Sequence, residues 1–141
     1  MKTIYKTNSY EETQDAAKAL ARTLVPNDVI LLYGDLGAGK TCFTNGILYG
    51  LGFSSGGSSP TFTVVNEYPT TPPVNHFDLY RLKSEEELFD MGFAEYFDRG
   101  AVSIIEWPNI AEEFLEKRKT VTVSIKFTKN DDEREIIIER H

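Results

Sequence analysis

A chain of 141 residues has room for one hydrophobic core and is too short for two ordinary domains. Apolar residues at 40% and charged residues at 26% suit a globular protein that at this size needs no staple; a lone cysteine, Cys42, excludes an internal disulfide and a cysteine-based zinc site. Fifteen Lys and Arg against 22 Asp and Glu leave a net charge of −7, so the basic footprint of a nucleic-acid-binding protein is missing.

Direct nucleic acid binding is therefore not expected, and an acidic surface suits a protein partner with a basic face. The longest apolar runs are about five residues, against the roughly 20 that cross a bilayer. The opening MKTIYKTNSY lacks the apolar centre of a signal peptide. The expected location is cytoplasmic.

In chain order, residues 3–6 alternate as a short strand. Ser9 with Glu12 forms a capping box opening a helix, with Ala16, Ala17, Leu20, Ala21 and Leu24 on one face and Pro26 ending it. DVILLY (28–33) is the near-continuous apolar run of a strand buried on both faces of a parallel sheet. Gly34 to Thr41 is a loop, and a helix runs on toward Gly50 and Gly52. The Ser/Gly stretch 54–59 precedes strands at 61–67 and 74–79, separated by a proline-rich loop. Ser84 with Glu87 caps a short helix carrying Leu88 and Met91. AVSIIEW (101–107) is another buried strand, 109–117 is a candidate helix, and TVTVSIKF and REIIIER are neighbouring strands joined by a turn. No internal repeat or linker interrupts this order. The expected architecture is one α/β domain over 1–141 of the P-loop NTPase type, its mixed sheet parallel in the middle and antiparallel toward the end.

GDLGAGKT (34–41) matches G-x-x-x-x-G-K-[ST] at every fixed position, with a buried strand before it and a helix after it. Glycines let backbone N–H groups converge on phosphate oxygens, and the helix N-terminus adds partial positive charge. The cradle predicted from Asp35, Leu36, Gly37, Ala38, Gly39, Lys40 and Thr41 takes a nucleoside triphosphate. Lys40 reaches the β- and γ-phosphates and the Thr41 hydroxyl ligates Mg²⁺.

Such a site also needs a carboxylate near the metal. Glu106 ends VSIIE and Asp78 ends VNHFD, both at the carboxyl edge of the sheet, where open α/β sheets bind ligands. Either is a candidate metal ligand or water-positioning residue, and the spacing does not separate the roles. His76 shares the face of Asp78 and reads as a core histidine rather than a ligand or base. Thr61 suits a switch that senses the γ-phosphate and equally an ordinary strand-start threonine. Trp107, before Pro108, presents an aromatic face to the site or packs under the sheet. Cys42 is expected to pack between helix and sheet. An N-K-x-D guanine motif and a D-x-x-G switch are absent, which favours adenine.

GDLGAGKT, SPTF, HFDLYR and EWP, in this order and spacing, resemble the bacterial TsaE family, also called YjeE, over roughly residues 9–108. These are small ATPases of the pathway that makes the threonylcarbamoyl modification on tRNA adenosine. The resemblance implies ATP and Mg²⁺ as ligands and association with the TsaB and TsaD proteins. It implies Thr41 and Glu106 at the metal with Asp78 beside them, Trp107 near the nucleotide or partner surface, and SPTF, with Thr61, as a switch. By the same resemblance, Tyr10 at the start of the first helix and the turn before Arg134 approach the nucleotide. Cys42 departs from the threonine or small polar residue frequent at that position.

The expectation is thus a slow, partner-dependent ATPase with Lys40, Asp78 and Glu106 as its catalytic side chains. Arg81 is the nearest arginine to a finger position. The enzymatic alternative is a P-loop kinase for a small metabolite, although the chain's six scattered arginines supply no clustered lid. The non-enzymatic alternative is an adaptor gated by nucleotide binding alone.

Overall fold

Buried on both faces, VILLY organises everything around it. The computed structural model describes residues 1–54 and 64–141. The elements in chain order are β1 (Lys2–Thr7), α1 (Tyr10–Ala21), β2 (Val29–Tyr33), α2 (Lys40–Gly50), β3 (Val65–Tyr68), β4 (Val74–Asp78), α3 (Glu85–Asp90), β5 (Val102–Glu106), α4 (Glu112–Leu115), β6 (Thr120–Phe127) and β7 (Arg134–Arg140). Short 3₁₀ turns at Phe93–Tyr96 and Pro108–Ala111 complete the set. Among the described residues no helix is long and apolar enough to cross a membrane.

The seven strands form one sheet in the order β1-β7-β6-β2-β5-β4-β3. β2 pairs parallel with β5 and β6, and β4 parallel with β5, whereas β1–β7, β6–β7 and β3–β4 are antiparallel. This is the expected mixed α/β sheet with a parallel core and antiparallel closing strands. Alternate residues of β2 feed two cores. Ile30 and Leu32 pack with α1 and α2, and Val29 and Leu31 with Phe77, Phe93, Phe97 and Leu115 on the other face.

Local chemistry explains the helix starts. Ser9 Oγ accepts from the Glu12 amide at 3.1 Å, and Glu12 reaches back to the Asn8 amide at 3.0 Å, satisfying donors a helix start leaves open. Ser84 repeats the arrangement on Glu87. α1 stops at Ala21, ahead of the expected breaker Pro26, because Thr23 and Leu24 turn back onto the Leu20 and Ala21 carbonyls. Leu24 still reaches the core. Residues 109–117, expected as one helix, split into a 3₁₀ turn and the single turn α4. Their main apolar anchors, Ala111 and Leu115, lie one turn apart, too short a run for cooperative helix growth. The expected strand 61–67 is described only from its later part, as β3; residues 61–63 lie outside the described residues.

α1 and α2 approach unusually closely. A Cβ added at Gly46 would stand 2.6 Å from that of Ala17, and one at Gly50 2.6 Å from that of Ala21. This contact carries the start of α1 to the start of α2. The parallel run of β2, β5 and β4 brings Leu32, Glu106 and Asp78 into lateral register, so the loop after β2 and both strand-end carboxylates share one edge.

Candidate functional site

The loop from Gly34 to Thr41 is shaped by two kinds of glycine requirement. A Cβ at Gly34 would meet the Ile125 carbonyl oxygen at 2.9 Å, so close backbone approach demands glycine there. Gly39 adopts φ 117° in open space, so there the backbone angle makes the demand. The Ala38 amide donates to the Asp35 carbonyl at 3.0 Å, closing the turn. α2 begins on Gly39 without a side-chain cap and without an acid in its first turn. Its N-terminal amides and partial positive charge therefore face the loop with no side chain spent on them.

Lys40 follows at once. It is 6% exposed, and its Nζ has no hydrogen-bond partner among the described residues. The ammonium lies 3.6 Å from the centroid of the Trp107 ring, a cation–π contact that replaces part of its lost hydration. Burial holds it below the usual lysine range against the opposing pull of Glu106, Asp78 and Asp35. Trp107 reaches this place with a left-handed backbone, φ 55° and ψ 56°. For a bulky residue that conformation costs roughly 1–3 kcal/mol. Its other neighbour is Tyr80, at 4.9 Å between centroids.

Glu106 is 3% exposed and shares a 2.5 Å contact between Oε2 and Nε2 of the buried His76. Asp78, only half-buried, accepts from the Tyr80 amide through Oδ1 at 3.0 Å. Burial pushes the Asp78 carboxyl above its usual range; the Glu106 charge adds to this, while the Tyr80 amide, His76 and Lys40 oppose it. Two carboxylates and one ammonium thus hold one another in balance at the sheet edge.

These groups line a cavity of about 480 Å³ whose wall is formed by Ser9, Tyr10, Thr13, Leu36 to Cys42, Asp78, Glu106, Trp107, Asp131, Asp132 and Arg134. Of the residues singled out from sequence, Tyr10, Leu36, Gly37, Ala38, Gly39, Lys40, Thr41, Asp78, Glu106, Trp107 and Arg134 come together here. Asp35 does not line the wall; its carbonyl serves the turn instead. Thr61 lies outside the described residues. Arg81 is exposed and off the wall. Arg134 is on the wall, but its guanidinium donates to the carbonyls of Ala38 at 3.0 Å, Asp131 at 2.5 Å and Glu133 at 2.9 Å. It therefore ties the β6–β7 turn to the loop. Cys42 donates through Sγ to the Tyr10 carbonyl at 3.4 Å, a contact between α2 and α1 rather than one between α2 and the sheet.

Sequence reasoning passed over several groups. Asp131 and Asp132 lie in what reads only as a turn and Ser9 reads only as a helix cap, while nothing in the sequence singles out Thr13. His76 was legible as a buried histidine but not as the partner of Glu106. A carboxylate at the same strand end of a neighbouring parallel strand was the available signal.

Among the described residues no cluster of three or more His, Cys, Asp or Glu side chains would hold a metal unaided. Mg²⁺ in phosphoryl-transfer sites takes only one or two carboxylates, completing its shell from substrate phosphates and water. Glu106, Asp78 and the Thr41 hydroxyl fit that demand, and the Lys40 ammonium, which has no hydrogen-bond partner among the described residues, fits a phosphate oxygen.

The sequence matches the family described as "Threonylcarbamoyl adenosine biosynthesis protein TsaE" over residues 7–136. A Bacillus subtilis protein named tRNA threonylcarbamoyladenosine biosynthesis protein TsaE is 44% identical over 133 residues, 94% of this chain and 82% of that one. A Rickettsia conorii protein of the same name is 46% identical over 110 residues, 77% of this chain but 62% of that one, less than two thirds of its length. The crystal structure of Bacillus subtilis YdiB superposes with a TM-score of 0.80 at 37% identity, covering 98% of this chain and 84% of that one.

Proposed function

The chain belongs to the TsaE family, and from that membership we propose that it is a Mg²⁺-dependent, slowly hydrolysing ATPase. It serves threonylcarbamoyl modification of tRNA adenosine by acting with TsaB and TsaD rather than on tRNA itself. One observation supports this reading above the rest. A buried ammonium with no hydrogen-bond partner among the described residues shares one cavity with two carboxylates and a glycine-built helix start.

Loop amides and Lys40 take the β- and γ-phosphates. Thr41, Glu106 and Asp78 hold the metal shell and the attacking water between them. Mg²⁺, when bound, neutralises the charge that develops on the transferred phosphoryl group. Tyr10 and the Asp131–Asp132 turn flank the nucleoside end. The arginine on the wall, Arg134, is engaged by three carbonyls, which leaves a finger to be supplied from elsewhere. A finger is worth ~10³–10⁵ in rate, about 4–7 kcal/mol of barrier, so the isolated chain turns over slowly and a partner accelerates it. The net charge of −7 agrees with leaving tRNA to that partner.

The test is co-purification with TsaB and TsaD, with and without ATP and Mg²⁺, followed by phosphate release alone and in the complex. Nucleotide-dependent association and accelerated hydrolysis support the reading. Hydrolysis by the isolated chain on the order of tens per second, at the level of ordinary unassisted enzymes, overturns the partner-dependent cycle. Transfer of the γ-phosphate to a small acceptor overturns the ATPase reading in favour of a kinase.

A further inference from the structure

We propose that His76 is a positioning residue that holds the Glu106 carboxylate in its working orientation; this rests on reading the cavity as an ATP-hydrolysing site. The face of the sheet under α2 carries Val74, His76 and Asp78 on β4 beside Val102, Ile104 and Glu106 on β5. His76 is the one member of this stripe whose polarity is not explained by a place at the strand end. It is 1% exposed, and its Nδ1 is buried with no partner among the described residues. An aliphatic residue there would continue the apolar layer without an unsatisfied polar atom.

What the imidazole supplies is its other nitrogen. A carboxylate working in a metal shell only accepts hydrogen bonds, and that role assigns the Nε2–H tautomer to the ring that meets Glu106 Oε2 at 2.5 Å. One carboxylate oxygen is thereby engaged from below the cavity floor, and the rotation of the group is set. The parallel register makes the reach possible. His76 aligns with Ile104 and Asp78 with Glu106, so the ring spans from one rung to the next. Groups of this kind, behind the residue that meets metal or water, typically change metal affinity or activity by about 10- to 100-fold when removed.

Three variants test this in the chain bound to its partners: His76→Leu, which removes the donor; His76→Gln, whose amide nitrogen sits where Nε2 does; and His76→Asn, polar but too short to reach. Leu and Asn should lower ATP turnover by about 10- to 100-fold and raise the Mg²⁺ concentration for half-saturation. Binding of a fluorescent nucleotide in EDTA should stay within about twofold, and Gln should recover most of the loss. A crystal structure of His76→Asn should show the Glu106 carboxyl turned from its present position. If Leu fails to fold, the Gln and Asn pair carries the comparison. The proposal is overturned if Asn turns over like wild type, if Gln and Asn are equally impaired, if EDTA-phase nucleotide binding falls in parallel with turnover, or if Glu106 keeps its orientation in Asn. A wild-type complex that binds nucleotide without hydrolysing it refutes the functional reading instead, and the Mg²⁺ titration and the Glu106 orientation then still decide the role of His76.

Discussion

The Lys40 ammonium stands 3.6 Å from the centroid of the Trp107 indole, and the two residues explain each other. The lysine is buried without a hydrogen-bond partner among the described residues, and the tryptophan takes a left-handed backbone to lie against it. A phosphate oxygen is a stronger partner than a ring face, so an incoming triphosphate should draw the ammonium off the indole. Trp107 is the only tryptophan in the chain, so its emission reports the surroundings of one indole, which Lys40 and Tyr80 share. Titration with ATP and Mg²⁺ should change the fluorescence, and Lys40→Ala should abolish the response. Because a charge-assisted hydrogen bond is worth about 1.5–3 kcal/mol, that variant should lose about 10- to 150-fold in affinity by calorimetry. It should also keep an intact fold. An unchanged affinity would remove the lysine from the phosphate site.

Glu106→Gln and Asp78→Asn separate hydrolysis from binding. Both should retain nucleotide affinity within a few-fold, since the cradle amides and Lys40 remain, and both should lose most partner-stimulated phosphate release. If both abolish hydrolysis while modification of tRNA by the complex continues, nucleotide binding alone is the output and hydrolysis is incidental.

Arg134 supports the loop through geometry that lysine cannot copy, since three carbonyls converge on one planar group. Arg134→Ala and Arg134→Lys should both weaken nucleotide binding. Each should also cost about 1–3 kcal/mol of stability, read as a melting-temperature drop of about 4 °C per kcal/mol. Full rescue by lysine would mean that only the positive charge matters.

Helix contact gives a sharper contrast. At Gly50 the nearest obstacle to a Cβ is the Ala21 side chain at 2.6 Å, with Lys18 backbone atoms at 3.2 Å or more. At Gly46 the obstacles include the Gln14 carbonyl oxygen and Cα at 2.7 and 2.9 Å. Overpacking costs about 1–3 kcal/mol, which outweighs the propensity gain of about 1 kcal/mol from Gly→Ala. Both Gly→Ala variants should therefore melt lower. Ala21→Gly should show favourable coupling with Gly50→Ala, whereas Ala17→Gly should leave Gly46→Ala mostly unrelieved. Equal rescue at both sites would contradict the backbone assignment.

Burial pushes the Cys42 thiol from 9.0 up to about 11. Between these values the folded state keeps a proton that the unfolded chain has released, so the contribution of Cys42 to stability falls as pH rises through that window. At neutral pH the thiol should react slowly with maleimide or disulfide reagents, and faster toward alkaline pH. Since Cys42 lines the cavity, bound nucleotide should slow the reaction further. Rapid labelling at pH 7, indifferent to nucleotide, would place the thiol elsewhere.

What could be read from the amino-acid order was what depends on near neighbours. The capping serines act over three residues, the glycine-built turn over eight, and the alternation of buried positions over single strands. These were enough for the parallel core, the loop, Lys40, and the strand-end carboxylates Asp78 and Glu106. The cavity's far wall was another matter. Tyr10 and Arg134 could be placed there only by resemblance, and Asp131 and Asp132 not at all, because they meet the loop through the α1–α2 contact and the turn between β6 and β7. The tertiary structure alone decided that His76 reaches Glu106 and that Trp107 covers Lys40. Each depends on which strands became neighbours and in what register. Lateral pairing joins residues tens of positions apart through cooperative packing of the whole sheet, which no local pattern encodes.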